Sequence, residues 1–503
     1  MKIKRIVVGM LCALMCVLVA CGTDEEKNKK KDISWKLTEG KLVISGEGSM
    51  QEWYHNQESS DLWTLDDVES VVIEDGITDI AKEAFYGHEN LVSVKMADSV
   101  TYIAESAFYG CIVLDDIDFS GNIEYVGIDA FGETKWWEDL KLTEDLLIVE
   151  NLLVMASPDV KEVVVPDHVK CVFAKAFEET AVEKVTLPQG MTHISENTFL
   201  NCENLKSIQL PEGLKCIRAG AFEGCSSLEN VKIPDSVSEI QHSAFALCTS
   251  LKEVNIPDKV TAIEKNTFGM CALKSVAIPQ NVTKIGAGAF ANCGELSSVV
   301  LPESVKDIGA NAFGGTPWEA ANCKVGDYIV VNGVMTGYKA GLTKIVTPKE
   351  ATALSPSLFS NDFLLESVVI SDTITRIESR TFEMCTSLVE VQIPDTVTHI
   401  GDNAFAKCEK MVNISIPSGV TYIGDNAFYH CTVLAEISLP KSLEYFGTGM
   451  LMECPGLVKV EVPENVTAFS IEGLDKDKVK VYAKKDSYAW KLAKDGGFEL
   501  VTE

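Results

Sequence analysis

An aromatic or aliphatic residue returns along this chain at an almost constant interval of 23 residues. The series runs Phe85, Phe108, Phe131, Phe177, Phe199, Phe222, Phe245, Phe268, Phe290, Phe313, Phe359, Phe382, Phe405, Phe428 and Leu451, usually as the second letter of Ala-Phe or Thr-Phe. Most steps are 23 residues, two are 22 and two are 46. One unit reads AFEGCSSLENVKIPDSVSEI from Ala221 to Ile240; the next reads AFALCTSLKEVNIPDKVTAI from Ala244 to Ile263. A unit this short cannot bury its apolar face alone, so successive units must stack on one another as a solenoid.

Within a unit the apolar spacing is that of a strand. Val231 and Ile233 alternate with polar residues, and Pro234, which lacks an amide hydrogen, stops the strand. Val237 and Ile240 form a second short apolar pair before the next Ala-Phe. Stacking then sets Ile on Ile, Phe on Phe and Cys on Cys at about 4.8 Å per rung, giving a body on the order of 70 Å long.

The recurring pattern A-F-x-x-C-x-x-L-x-x-[VI]-x-[IL]-P-x-x-V-x-x-I resembles the BspA-type leucine-rich-repeat family of bacterial surface proteins. The resemblance implies a leucine-rich-repeat solenoid: a curved, β-rich right-handed superhelix with parallel strand ladders and short turns or helical segments. It also implies a surface-exposed protein of the adhesin or host-protein-binding type.

The ends do not follow the period. Residues 1–20 carry Lys2, Lys4 and Arg5 ahead of an apolar run from Ile6 to Val19, the layout of an export signal. Leu18-Val19-Ala20-Cys21-Gly22 resembles a bacterial lipoprotein cleavage site, which implies that Cys21 becomes the lipidated first residue. The charged stretch 21–32 reads as a tether. Residues 33–77, with Trp35, Leu42, Ile44, Trp53 and Trp63, read as an N-terminal β-rich cap on a solenoid spanning 78–466. Residues 467–503 read as a C-terminal cap in which Tyr488, Trp490 and Leu492 cover the last rung.

The two 46-residue steps, near 131–177 and 313–359, align at a constant offset of 182, Trp136 falling on Trp318 and Pro166 on Pro348. The second contains Asn332-Gly333, a strong hairpin signal; the first has Glu150-Asn151 there. Both are expected to project a β-hairpin from the solenoid.

Charge and cysteine phase narrow the function. The net charge is −30, or −33 once residues 1–20 are removed, which disfavours nucleic acid and broad contact with anionic membrane. Ten of the 16 cysteines fall three residues after the repeat aromatic, so they form one buried column of small side chains. Side chains in register point the same way and strain a bridge, so free thiols are expected. Cys171, His193 and Cys216 share another phase, but two rungs between the sulfurs, about 10 Å, is too far for one zinc ion. Asp115, Asp116 and Asp118 read as a solvated acidic strand, since the calcium-binding G-G-x-G-x-D motif is absent. No G-x-S-x-G, H-E-x-x-H, Walker or C-x-x-C motif occurs, and the seven histidines fall on several phases. No catalytic residue, metal or cofactor is assigned.

What remains is a surface. Lys184, Thr186, Ser207, Gln209, Asn230, Lys232, Glu253 and Asn255 occupy alternate strand positions that face away from the core, in regular units expected to form an unbroken sheet. This face is polar and lacks aromatic platforms for sugars, so an extracellular or host protein is the expected partner of a monomer held to membrane only by its N-terminal lipid. A second stripe, Tyr102 and Tyr125 with Tyr422 and Tyr445, is the alternative contact surface, against a purely structural tyrosine ladder. Glycan or cell-wall binding is the alternative function, and an exported hydrolase a more distant one.

Overall fold

Each coil is shaped by two left-handed residues around its phenylalanine. Asn197 and Asn201 flank Phe199, Gly220 and Gly224 flank Phe222, and Asn403 and Lys407 flank Phe405, all with positive φ. Glycine and asparagine reach that conformation at low cost, which accounts for their return at these two phases. The paired turns throw the ring inward, and Phe222 and Phe245 are fully buried. A computed structural model describes residues 33–51, 67–466 and 470–502.

The coils stack into a parallel β-solenoid with two strand ladders. The main ladder carries the V-x-I strands: Glu162–Val164, Lys184–Thr186 and Ser207–Gln209 pair in parallel, Lys184 opposite Ser207. The second, narrower ladder carries the coil isoleucines, as in His193–Ile194, Cys216–Ile217 and Glu239–Ile240. Between them the phenylalanine rings stack, with centroids 5.2 Å apart for Phe199–Phe222 and 5.1 Å for Phe222–Phe245. The strand spacing sets this distance.

Both double-length units contain the expected hairpins, Leu146–Val149 with Leu152–Ala156 and Tyr328–Val331 with Val334–Tyr338. They do not simply project. The second strand of each pairs in parallel with the next coil strand, Leu152 opposite Cys171 and Val334 opposite Ala353, and so serves as a rung. Leu152, Leu153 and Met335 are fully buried. The reason is that a 46-residue step omits one repeat sequence, and the core stripe must still be closed. Tyr338 stands 5.1 Å from Phe359 in place of the missing phenylalanine. Short helices, Lys135–Asp139 and Pro317–Asn322, precede the hairpins, capped by Thr134 and Thr316. The main ladder is broken at both units: Asp116–Asp118 ends one sheet and Glu162–Val164 starts the next, and Ser298–Val300 and Lys344–Val346 repeat the break.

At the N-terminal end Ser34–Thr38 and Lys41–Ser45 form an antiparallel hairpin that joins Ser70–Ile73 in parallel, so the main ladder already begins inside the expected cap. Trp53 and Trp63 lie outside the described residues, as does Cys21. At the other end Lys459–Val462, Lys480–Ala483 and Glu499–Val501 extend the ladder. The helix Tyr488–Asp495 buries Ala489 and Ala493, while Trp490 and Leu492 pack partly buried against the core. Tyr488, expected to cover the last rung, is 46% exposed, because the alanines occupy the inward face. Among the described residues no helix is long and apolar enough to cross a membrane.

Candidate functional site: the outward face of the main ladder

The strand positions named from the sequence share one face. Lys184, Ser207, Gln209, Asn230, Lys232 and Glu253 are exposed, and Thr186 is half-buried. Register aligns Lys184 with Ser207, Thr186 with Gln209, and Asn230 with Glu253. The expectation of an unbroken sheet needs correction. Hydrogen-bonded pairing stops after Ser207–Gln209, and Asn230–Val231 with Glu253–Val254 form a separate two-stranded sheet. Prolines close every strand here, leaving two or three residues to pair.

Asn255 is exposed on this face as well, but its side chain is tied to the neighbouring rung. Its Oδ1 accepts from the Ile233 amide at 3.0 Å, and its Nδ2 donates to the Ile233 carbonyl at 2.7 Å. The side chain thus supplies the neighbouring rung with the donor and acceptor that a strand backbone would offer. A charge ladder flanks the face and was not recognised from the sequence. Lys206 lies 2.5 Å from Glu183, and Lys252 lies 3.3 Å from Glu229. The signal was available: the residue after each repeat aliphatic alternates in sign from Glu183 through Lys206 and Glu229 to Lys252. Such exposed pairs contribute little stability, and they leave the face bordered by fixed charges of both signs.

The tyrosine stripe divides in two. Tyr102 and Tyr125 stack with centroids 4.3 Å apart, but Tyr125 is only 3% exposed. Its hydroxyl donates to Glu196, and the Arg218 guanidinium lies 4.0 Å from its ring centroid. Tyr125 is therefore removed from the contact surface. Tyr422 and Tyr445 form the other half, stacked at 4.6 Å, with Tyr445 41% exposed. Their rings lie nearly parallel, so each covers a face of the other and Tyr445 presents the freer one.

The cysteine column is built as hydrogen-bond donors. All ten thiols of this phase lie 2.8–3.2 Å from the carbonyl of the phenylalanine one unit earlier, for example Cys248 on Phe222 at 3.1 Å. Burial pushes the Cys111 and Cys385 thiols up to about 12 and Cys202 to about 11. A thiol so held is neither nucleophile nor metal ligand at neutral pH. Thirteen free cysteines, all buried, lie among the described residues. Titration with a thiol reagent is therefore expected to find almost none in the folded mature chain and 13 after denaturation without reductant. Few thiols after denaturation would mean that bridges exist.

Other clusters resolve structurally. Burial, followed by the Arg218 charge, pushes the His193 imidazole down to about 4, and its Nδ1 lies 2.8 Å from the Thr192 hydroxyl. Asp118 pairs with Lys95 at 2.7 Å, and Asp115 pairs with Lys135. Among the described residues no group of three or more His, Cys, Asp or Glu is placed to hold a metal ion.

The chain is similar to several solved structures. The crystal structure of a leucine-rich repeat protein from Bacteroides ovatus ATCC 8483 is 22% identical over 92% of this chain and 100% of that one, with a TM-score of 0.29. A leucine rich cell surface protein from Faecalibacterium prausnitzii A2-165 is 20% identical over 86% of this chain and 95% of that one, with a TM-score of 0.32. The pneumococcal vaccine antigen PcpA is 14% identical over 95% and 98%, with a TM-score of 0.29. No curated protein matched. The family model described as "BspA type Leucine rich repeat region (6 copies)" matches residues 60–177, 170–294, 215–329, 261–377 and 352–474, so the chain belongs to the BspA-type leucine-rich-repeat family.

Proposed function

We propose that this protein is a lipid-anchored surface protein that binds other proteins, in the manner of an adhesin, through the outward face of its main ladder. The observation that carries the reading is the row from Lys184 to Glu253: exposed polar side chains at alternate strand positions of successive coils, bordered by a charge ladder. A long face of this kind matches an extended protein surface better than a compact small molecule. The description of a relative as a cell surface protein supports the same reading.

The test uses the lipid-anchored chain on arrays of extracellular and host proteins, with glycan arrays in parallel. Ser207→Arg and Asn230→Arg each place a bulky cation at the centre of the face, where the native side chains contribute no packing to the core. Each is expected to weaken protein binding by about tenfold or more, with an unchanged thermal midpoint. Binding that survives both changes but falls in Tyr422→Ala/Tyr445→Ala would move the contact surface to the second stripe. Strong glycan binding without protein binding would favour the glycan reading, for which the exposed ring of Tyr445 is the supporting feature.

A further inference from the structure

The first double-length unit interrupts both ladders, yet side chains from its two sides meet. Tyr125 lies on the last coil before the unit and Glu196 on a coil after it, and the phenol oxygen is 2.7 and 2.8 Å from the two carboxylate oxygens. Arg218, one coil further, ion-pairs with Glu196 at 3.6 Å and places its guanidinium 4.0 Å from the Tyr125 centroid and 5.4 Å from that of Tyr102. Both Glu196 and Arg218 are 16% exposed at the side chain.

These distances do not fit a straight stack. The second-ladder strands run Tyr102–Ile103, Tyr125–Val126, Leu152–Ala156, Cys171–Val172, His193–Ile194 and Cys216–Ile217. Tyr125–Val126 also lies directly against Cys171–Val172. Four steps without the inserted strand, or five with it, therefore separate the first from the last, about 19–24 Å along a straight ladder. Arg218 lies against Tyr102 only if the second-ladder side is on the inside of a bend. The small Cys171 stands between Tyr125 and His193 in this series and leaves room for the arginine and glutamate to reach across. Where the stack opens, a cavity of about 690 Å³ is lined in part by Thr101, Glu124 and Lys170, the sequence neighbours of Tyr102, Tyr125 and Cys171.

We infer that Tyr102, Tyr125, Glu196 and Arg218 form a latch that holds two segments of the solenoid at a fixed angle across the break. Both ladders lapse at this unit together, and other side-chain bonds across it, Lys170 to Gly121 and Asn122 and Thr192 to Glu124, are exposed. A planar cation stacked on two aromatic rings and paired with a carboxylate is directional and poorly hydrated, so it fixes geometry where backbone pairing has been lost. The same four residue types are not repeated at the second double-length unit, where Asp307–Ile308 and Ala353–Leu354 flank the inserted rung. The latch therefore belongs to one bend only.

The test measures the bend directly, on the full chain in detergent micelles. Spin labels go on Glu89→Cys and Glu203→Cys, exposed sites at the same repeat phase on opposite sides of the break. A second pair, Glu203→Cys and Glu303→Cys, lies wholly on one side and reports whether the coils remain stacked. The native thiols among the described residues are buried and escape brief labelling. Electron–electron distance measurements are expected to give one narrow distribution for each pair in the parent. Arg218→Ala should lengthen and broaden the cross-break distance and leave the same-side distance alone. An unchanged cross-break distance in Arg218→Ala overturns the latch. If Arg218→Ala also disturbs the same-side pair, Glu196→Ala decides: a longer cross-break distance supports the latch and an unchanged one overturns it.

Discussion

Phe222→Ala is expected to lower the unfolding free energy by about 3–5 kcal/mol, the range for emptying a buried aromatic site. The ring is fully buried, and it has a stacked neighbour on each side, Phe199 at 5.2 Å and Phe245 at 5.1 Å. Backbone pairing fixes the rung spacing, so the coils cannot close over the cavity. The loss therefore includes contacts with both neighbours as well as the transfer of the ring itself. In a solenoid each coil is held only by the next, so the transition is also expected to broaden as the two flanks uncouple. Urea unfolding followed by circular dichroism measures both effects. A loss below about 1 kcal/mol would mean that the ring column is not the continuous core described here. Phe222 is also the carbonyl partner of Cys248, but that bond uses the backbone and survives the substitution.

Cys21→Ala is expected to shift the protein almost wholly from the membrane fraction to the soluble or unprocessed fraction. If the lipid on Cys21 is the membrane attachment, one sulfur atom carries all of it, since the strongly acidic chain gains nothing from anionic headgroups. The measurement is detergent-phase partitioning of the protein expressed with its own export segment, together with the mobility of the processed form. Partitioning that does not change in the variant would refute the anchor. The assignment rests on the five residues Leu18 to Gly22 and on the basic start before them.

What the sequence made legible was whatever repeats. The phenylalanine and cysteine columns, the polar strand face and the Asn332-Gly333 hairpin all follow from local rules applied at a fixed period. Asn332 and Gly333 both take positive φ, as a two-residue hairpin turn requires. The rest depended on where the period fails. Asn255 looks like any outward strand residue until the neighbouring strand is seen to be too short to offer backbone partners. Tyr125 shares its phase with Tyr102, Tyr422 and Tyr445, but only Tyr125 borders a break across which an arginine can reach. Arg218 holds no repeated phase of its own type, and the acidic phase of Glu196 returns at Glu105, Asp402 and Asp425 without an arginine one coil further, so no periodic signal marked the pair. The hairpins were visible as turns, but their role as rungs was not, because the rung they replace is absent from the sequence.

The uniform spacing of contacts also bears on the order in which the chain folds. Nearly every inter-coil bond joins residues 22 to 26 apart, as in Phe222 amide to Ala244 carbonyl or Cys248 thiol to Phe222 carbonyl. Closing loops of one fixed, short length is entropically cheap and fast. A chain emerging end-first from a translocation channel can therefore add coils one at a time without waiting for its C-terminus. The Tyr125–Glu196 contact, 71 residues apart, cannot form on that schedule. It must wait until the inserted hairpin and the coils on its far side are in place, so the angle of the bend is set after the stacks that it joins.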